Sequence, residues 1–303
     1  MFKKLVGLFT ASLMAIFGLV AMPIAVAPAQ AAPPGSAFDP GLIISDSVFF
    51  DFGSMSVADI QQFLDSRVVD CRATDPAIDC LKSIKTEIPD SPASTSSEVG
   101  PCSAIPANPA ASAAEVIYAV AVACGINPKV LITKLQKEQG LVTSTKPTSY
   151  MYRAAMGFGC PDSDPGICGK VYVGLFNQLY RAAKQLRWYG NPEGSFTYWK
   201  PGRTVSMRYN PKSSCGTKSF ELKNQATANL YYYTPYTPNQ AALDNMYGSG
   251  DSCSAYGNRN FWRYYHDWFG SPIGGGYLLQ AAGTETFLIV NDKKFLVSDS
   301  RLL

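Results

Sequence analysis

In this chain of 303 residues, Glu138 has a setting suited to acid–base chemistry. On a helix that opens at Pro128, Leu131, Leu135 and Glu138 fall at i, i+4 and i+7, so the carboxyl group shares the apolar stripe that looks inward. Glu138 also lies in the last turn before Gly140, where the helix dipole is negative. Burial and a negative helix end both disfavour the ionised form, which predicts a raised pKa and a general acid working near neutral pH. The competing arrangement puts Glu138 in solvent, paired with Lys134 four residues back.

Other chemistries lack their parts. The single histidine, His266, leaves a histidine-based nucleophilic triad without a base that sequence can place. The eight cysteines contain no C-x-x-C pair, so neither a zinc site nor any other metal or cofactor is expected. An even number of cysteines in an exported chain reads as disulfides instead. The short intervals Cys71 to Cys80 and Cys160 to Cys168 suggest local loops, which leaves Cys102 for Cys124 and Cys215 for Cys253.

The elements that must position Glu138 have clear signals. Ser112 with Glu115 forms a capping box, the apolar stretch from Val116 to Cys124 follows, and Gly125 stands where a left-handed cap belongs. Asn127-Pro128 restarts a helix at once, and this second helix stops at Gly140. Upstream, Ser56 and Asp59 cap another helix, while residues 89–111, dense in Ser, Pro and Ala, read as a long tethered loop. Downstream, helices are expected over 172–189, 224–232 and 257–269, with a hairpin around Pro201-Gly202. The stripe Phe261, Trp262, Tyr265 and Trp268 on the last of these reads as core. Residues 277–281, 286–290 and 295–297 are short β-like runs, the last two separated by turn residues from Asn291 to Lys294.

The two ends and the charge set the address. Lys3 and Lys4, an apolar run from Leu5 to about Val26, and Ala29-Gln30-Ala31 follow the order of a cleavable signal peptide, with cleavage expected after Ala31. Pro23 and Pro28 interrupt the run just where a membrane anchor would need it unbroken. No later segment is apolar over the length of a membrane span. A net charge of +3, two units of which leave with the leader, argues against nucleic acid as a partner. The aromatic content, 12%, suits either a core or a sugar-binding surface.

Several segments in order, Ile126-Asn127-Pro128, Lys137-Glu138-Gln139-Gly140-Leu141, Ala155-Met156-Gly157-Phe158-Gly159, and Asn224 to Tyr231 with Tyr233-Thr234-Pro235-Tyr236, resemble the lysozyme-like, lytic-transglycosylase family. More closely, the chain resembles secreted bacterial cell-wall proteins with Lys-Glu-Gln-x-Leu at this helix end and the run from Cys253 to Trp262. The resemblance covers roughly residues 111–270. With it the expected fold is mainly α (α+β) and disulfide-bonded: after the leader over 1–31 come an N-terminal helical segment and linker over 32–110, then over 111–270 the lysozyme-like helical domain that the resemblance implies, and over 271–303 a short β-hairpin segment that either packs on the helical domain or is a partial wall-associated repeat. The resemblance implies a secreted monomer acting on peptidoglycan, with Glu138 as the acid that protonates the β-1,4 glycosidic oxygen between N-acetylmuramic acid and N-acetylglucosamine. Gln139, Met156, Gly157 and one or more of Tyr231, Tyr233 and Tyr236 are the implied substrate-binding residues. Gln139 stands where the transglycosylases usually carry serine. A hydrolase wants a second carboxylate near the first; Asp162, Asp164 and Asp251 are candidates that loop position alone does not assign. Without one, the substrate's own 6-hydroxyl would attack and an anhydro-sugar would leave. The alternative on the same fold is a non-catalytic glycan-binding protein or adhesin.

Overall fold

The structure is a computed structural model that describes residues 33–94, 101–161, 167–275, 277–280, 286–290 and 293–297. The leader and the loop aspartates Asp162 and Asp164 lie outside the described residues.

Helices dominate, as the patterning predicts, and small antiparallel sheets complete an α+β fold. The first α-helices among the described residues are α1 (Asp46–Phe49) and α2 (Val57–Arg67), the latter started by the Ser56–Asp59 capping box. Strand β1 (Lys85–Ile88) then pairs antiparallel with β2 (Asn108–Ser112). Beyond that ladder, Ser91 bridges to Ile105 and Ser94 to Cys102. Residues expected to be a long tethered loop therefore run partly as paired strand. Their polar, Pro-rich composition hides the pairing, because partner backbone supplies the hydrogen bonds rather than side-chain pattern.

The central helices are α3 (Ala113–Cys124) and α4 (Pro128–Gln139). Ser112 accepts from the backbone of Glu115 while the Glu115 carboxylate accepts from Ser112, and Gly125 ends α3 at φ 63°. Only a residue free of Cβ strain takes that conformation readily. The chain then continues through α5 (Ser149–Arg153), α6 (Leu175–Trp188), the hairpin β3 (Thr204–Arg208) with β4 (Thr217–Glu221), α7 (Gln225–Tyr233), α8 (Gln240–Asp244) and α9 (Gly257–Phe269). The hairpin lies later than the one expected around Pro201-Gly202. That dipeptide forms the turn entering β3, and the Gly202 N–H donates to the carbonyl of Leu222. At the C-terminus β5 (Tyr277–Gln280), β6 (Thr286–Val290) and β7 (Lys293–Leu296) form an antiparallel sheet.

One hydrophobic core takes side chains from both sides of residue 110: Phe38, Ile43, Phe49, Ile60 and Leu64 pack in the same cluster as Ile117, Leu131, Leu135, Leu186 and Tyr231. Phe261, Trp262 and Tyr265 of α9 are buried in it, so that aromatic stripe is core. Burying each large apolar side chain contributes roughly 1.5–3 kcal/mol. Four disulfides, Cys71–Cys80, Cys102–Cys124, Cys160–Cys168 and Cys215–Cys253, match the pairing read from the spacings. No helix among the described residues is long and apolar enough to cross a membrane.

Candidate functional site

The orientation of α4 is fixed at its start. Asn127 caps the helix by accepting from the Lys129 N–H at 2.8 Å. Its amide donates to the carbonyl of Val48 at 2.7 Å, and the hydroxyl of Ser54 donates to its oxygen at 2.7 Å. Leu131 and Leu135 then bury the inward stripe completely, and Gly140 closes the helix at φ 65°. Glu138 is thereby held in the last turn with its side chain only 19% exposed.

The expected consequence of that burial fails, for a specific reason. Both Lys134 Nζ, at 3.2 Å, and Lys137 Nζ, at 2.7 Å, contact the same oxygen of Glu138, Oε1. Burial pushes the Glu138 pKa up, but the charges and hydrogen bonds of Lys137 and Lys134 outweigh it and hold the carboxyl below its usual range. Glu138 is thus a stabilised carboxylate in the free protein, not a raised-pKa acid. The pairing with Lys134 read from the spacing is present, but inside the protein: the Lys134 side chain is 1% exposed. Burial, with the neighbouring charge of Lys137, pushes the Lys134 pKa down to about 7. Its ammonium also sits 3.5 Å from the ring centroid of Tyr233, a cation–π contact in a desolvated place.

Of the three candidate tyrosines, Tyr233 is the one at this site. Its hydroxyl donates to the Met156 carbonyl at 2.7 Å, and burial together with the Glu138 charge pushes its pKa well up. Tyr231 is fully buried and its hydroxyl donates to the Pro40 carbonyl, so it serves the core and is withdrawn from the site. Tyr236 is half-buried, and its carbonyl accepts from Asn258. Thr234 joins the site instead, since Lys137 Nζ donates to its Oγ1 at 2.8 Å.

Met156 is buried, and Gly157 faces the carboxylate. At Gly157, with φ 69°, an added β-carbon would stand 3.8 Å from Glu138 Oε2. The turn that carries Gly157 is held by Gln178 of α6. Its Oε1 accepts from Met156 N and Phe158 N, and its Nε2 donates to the carbonyls of Phe158 and Tyr172. Sequence reading missed Gln178, although a fully buried amide three residues after Leu175 on the apolar face of α6 is a readable signal. Gln139 follows Glu138 and is half-buried.

No second acid stands beside Glu138 in any ion pair or hydrogen bond among the described residues; the groups on it are cations. Asp251 is fully solvated and accepts from Asn239, Ser254 and Cys253 N, which makes it a turn residue before α9. The metal-like group Cys71, Asp79 and Cys80 has its two sulfurs joined to each other, so neither is a thiolate ligand.

Fold and site together define a disulfide-bonded α+β protein with a lysine-clamped glutamate at a helix end, facing a glycine turn and a tyrosine. Residues 42–277 match the model of the LasA N-terminal domain family, and the chain belongs to that family. No curated protein and no solved structure matches it. The family and the four disulfides are consistent with a secreted protein.

Proposed function

We propose that this protein is exported to act on the glycan of the bacterial cell wall, with the β-1,4 bond between N-acetylmuramic acid and N-acetylglucosamine engaged and cleaved at Glu138. The observation that carries the reading is the meeting of three separated segments: the end of α4, the Met156-Gly157 turn and the end of α7. They leave Oε2 of Glu138 turned toward a glycine while Oε1 is clamped. These are the segments on which the lysozyme-like resemblance rests, so a lysozyme-like cleft is part of the proposal. Membership of the LasA N-terminal domain family agrees with a cell-wall-directed role.

In the proposed reaction, protonated Oε2 gives its proton to the glycosidic oxygen as the bond to C1 breaks through an oxocarbenium-like transition state. The 6-hydroxyl of the same sugar then bonds to C1, and its proton returns to Oε2. Because the lysines depress the Glu138 pKa, the competent protonated form grows as pH falls, so release of fragments should increase toward acid pH.

A second reading has its own support. Two cations hold Glu138 ionised, the opposite of what a resting general acid needs, and this favours a groove that holds wall glycan without turnover. Incubation of the purified protein with insoluble peptidoglycan, followed by analysis of soluble muropeptides, separates the two. Cleavage predicts anhydro-muropeptides that disappear in Glu138→Gln, tested also in a Lys134→Met background so that lost folding is not mistaken for lost chemistry. Sedimentation with the wall and no fragments at any pH would establish the binding reading; neither binding nor fragments would overturn both.

A further inference from the structure

The connection from α6 to β3 gathers four aromatic rings around a fifth, Tyr232 of α7. Tyr232 stacks on Tyr189 with centroids 5.2 Å apart, and Phe196 meets both edge-on, at 4.6 Å from Tyr189 and 5.0 Å from Tyr232. Trp199 lies against the same Tyr232 ring at 4.8 Å, and its backbone N–H donates to the Tyr232 hydroxyl at 2.6 Å. Beside Trp199, at 6.1 Å, stands Tyr198, which is 71% exposed. The backbone that carries it is held: Nη1 of Arg203 donates to the Tyr198 carbonyl at 3.2 Å, and Gly194 packs so near Trp188 that a β-carbon there would stand 3.3 Å from the indole.

A lone exposed tyrosine calls for no explanation. Tyr198 differs in being one of an adjacent pair, mounted on a base of rings that the end of α6 and the end of α7 fix from below. That base adjoins the carboxylate site. Tyr232 precedes Tyr233, the ring that covers the Lys134 ammonium beside Glu138, and the Tyr189 phenol is near enough to Tyr233 to help raise its pKa.

We propose that Tyr198 and Trp199 form a stacking subsite for one pyranose ring of the β-1,4-linked N-acetylhexosamine chain that reaches Glu138. This rests on the glycan reading above and adds where a neighbouring sugar is held. The axial C–H groups of such a sugar give its ring an apolar face, while its substituents project from the rim. An apolar peptide side chain gains most from enclosure on every side, since the gain scales with the area removed from water. A pyranose gains from one covered face with its rim left wet, and the platform is open in that way: Glu193, Ser195, Thr197 and Arg203 around it are exposed. The Tyr198 hydroxyl and the Arg203 guanidinium are donors on the same loop for the hydroxyl and amide oxygens at that rim.

The experiment titrates the full chain with the soluble β-1,4 tetramer of N-acetylglucosamine, followed by calorimetry and by tryptophan emission. The tetramer should bind saturably and shift the emission. In Trp199→Phe the shift should be lost while calorimetric binding persists. Tyr198→Ala, at an exposed position, should keep the wild-type Tm and weaken binding roughly tenfold, the scale of one aromatic stacking contact. Tyr198→Phe should retain most of the affinity. Wild-type affinity in Tyr198→Ala, or an unchanged emission shift in Trp199→Phe, would overturn the subsite and leave the glycan reading standing. So would capture on insoluble peptidoglycan without binding of the tetramer, or displacement of the tetramer by the free stem peptide of the wall. A wild-type chain that binds neither tetramer nor peptidoglycan and releases no fragments would overturn both.

Discussion

The ammonium of Lys134, almost wholly excluded from water, lies 3.2 Å from Oε1 of Glu138 and shares that oxygen with Lys137. Two positive charges thus face one negative charge in a buried place, and the surplus has measurable consequences.

The first concerns Lys134 itself. Folding lowers its pKa to about 7 from the ordinary 10.5, so the folded chain binds fewer protons than the unfolded chain between those values. Stability should therefore rise with pH across that window, and the cost of burying the charge should be felt in full below it. Lys134→Met should remove the rise and, because a surplus buried charge is replaced by an apolar side chain, leave the protein unchanged or more stable by about 1–3 kcal/mol below pH 7. Thermal unfolding of both proteins from pH 6 to 10 checks this; a wild-type curve flat over that range would show that Lys134 does not titrate there.

Glu138→Gln acts in the other direction. Removing the carboxylate leaves Lys134 and Lys137 without their acceptor and, because the Glu138 charge raises the Lys134 pKa, makes Lys134 shed its proton more readily; a loss of up to about 3–5 kcal/mol is expected, largest below pH 7 where Lys134 is charged. Lys134→Met introduced alongside should restore much of it, giving a strongly non-additive double-mutant cycle by denaturant unfolding. Since the folded pKa of Glu138 lies below its ordinary value, its contribution is present above that ordinary value and vanishes as pH falls through the lowered one. Wild type and Glu138→Gln should therefore converge in stability at strongly acid pH.

At Gly157 the effects on fold and function should separate. With φ at 69°, alanine costs about 1–2 kcal/mol through backbone strain alone. Its methyl group would also stand over Oε2 of Glu138. Fragment release from peptidoglycan should fall far more than the loss in Tm implies, measured at a temperature where the variant is fully folded.

Gln178→Leu keeps the approximate volume and deletes three hydrogen bonds to the turn around Gly157 and a fourth to the Tyr172 carbonyl. Leaving buried backbone groups unpaired should destabilise by about 3 kcal/mol or more. Amide hydrogen exchange at Met156 and Phe158 should accelerate, while exchange in the middle of α3 should follow only the global change.

The parts of this architecture written locally were legible. The Ser112–Glu115 box, the Asn127 cap, and Gly125 and Gly140 depend on residues within one turn of one another, and each forms as the spacing predicts. So do the cysteine pairs, where short intervals restrict the choice. The hidden parts depend on the placement of distant segments. Lys134 reads as a solvent partner because lysine usually is one, and only the packing of Tyr233 over it reveals a buried cation. Neither periodicity nor composition tells Tyr233 from Tyr231, two residues apart on the same helix, since the choice turns on which face α7 gives to α4 and which to Pro40.

The cap at Asn127 takes its partners from Val48 and Ser54, some seventy residues earlier in the chain. A recombinant piece begun at residue 111 would retain Glu138, Gly157 and Tyr233 but strand that amide and uncover the wall formed by Ile43, Phe49 and Ile60. The smallest expressible unit therefore includes the N-terminal stretch, and a protease cutting between residues 45 and 56 could release the start of α4 without touching any residue near the carboxylate.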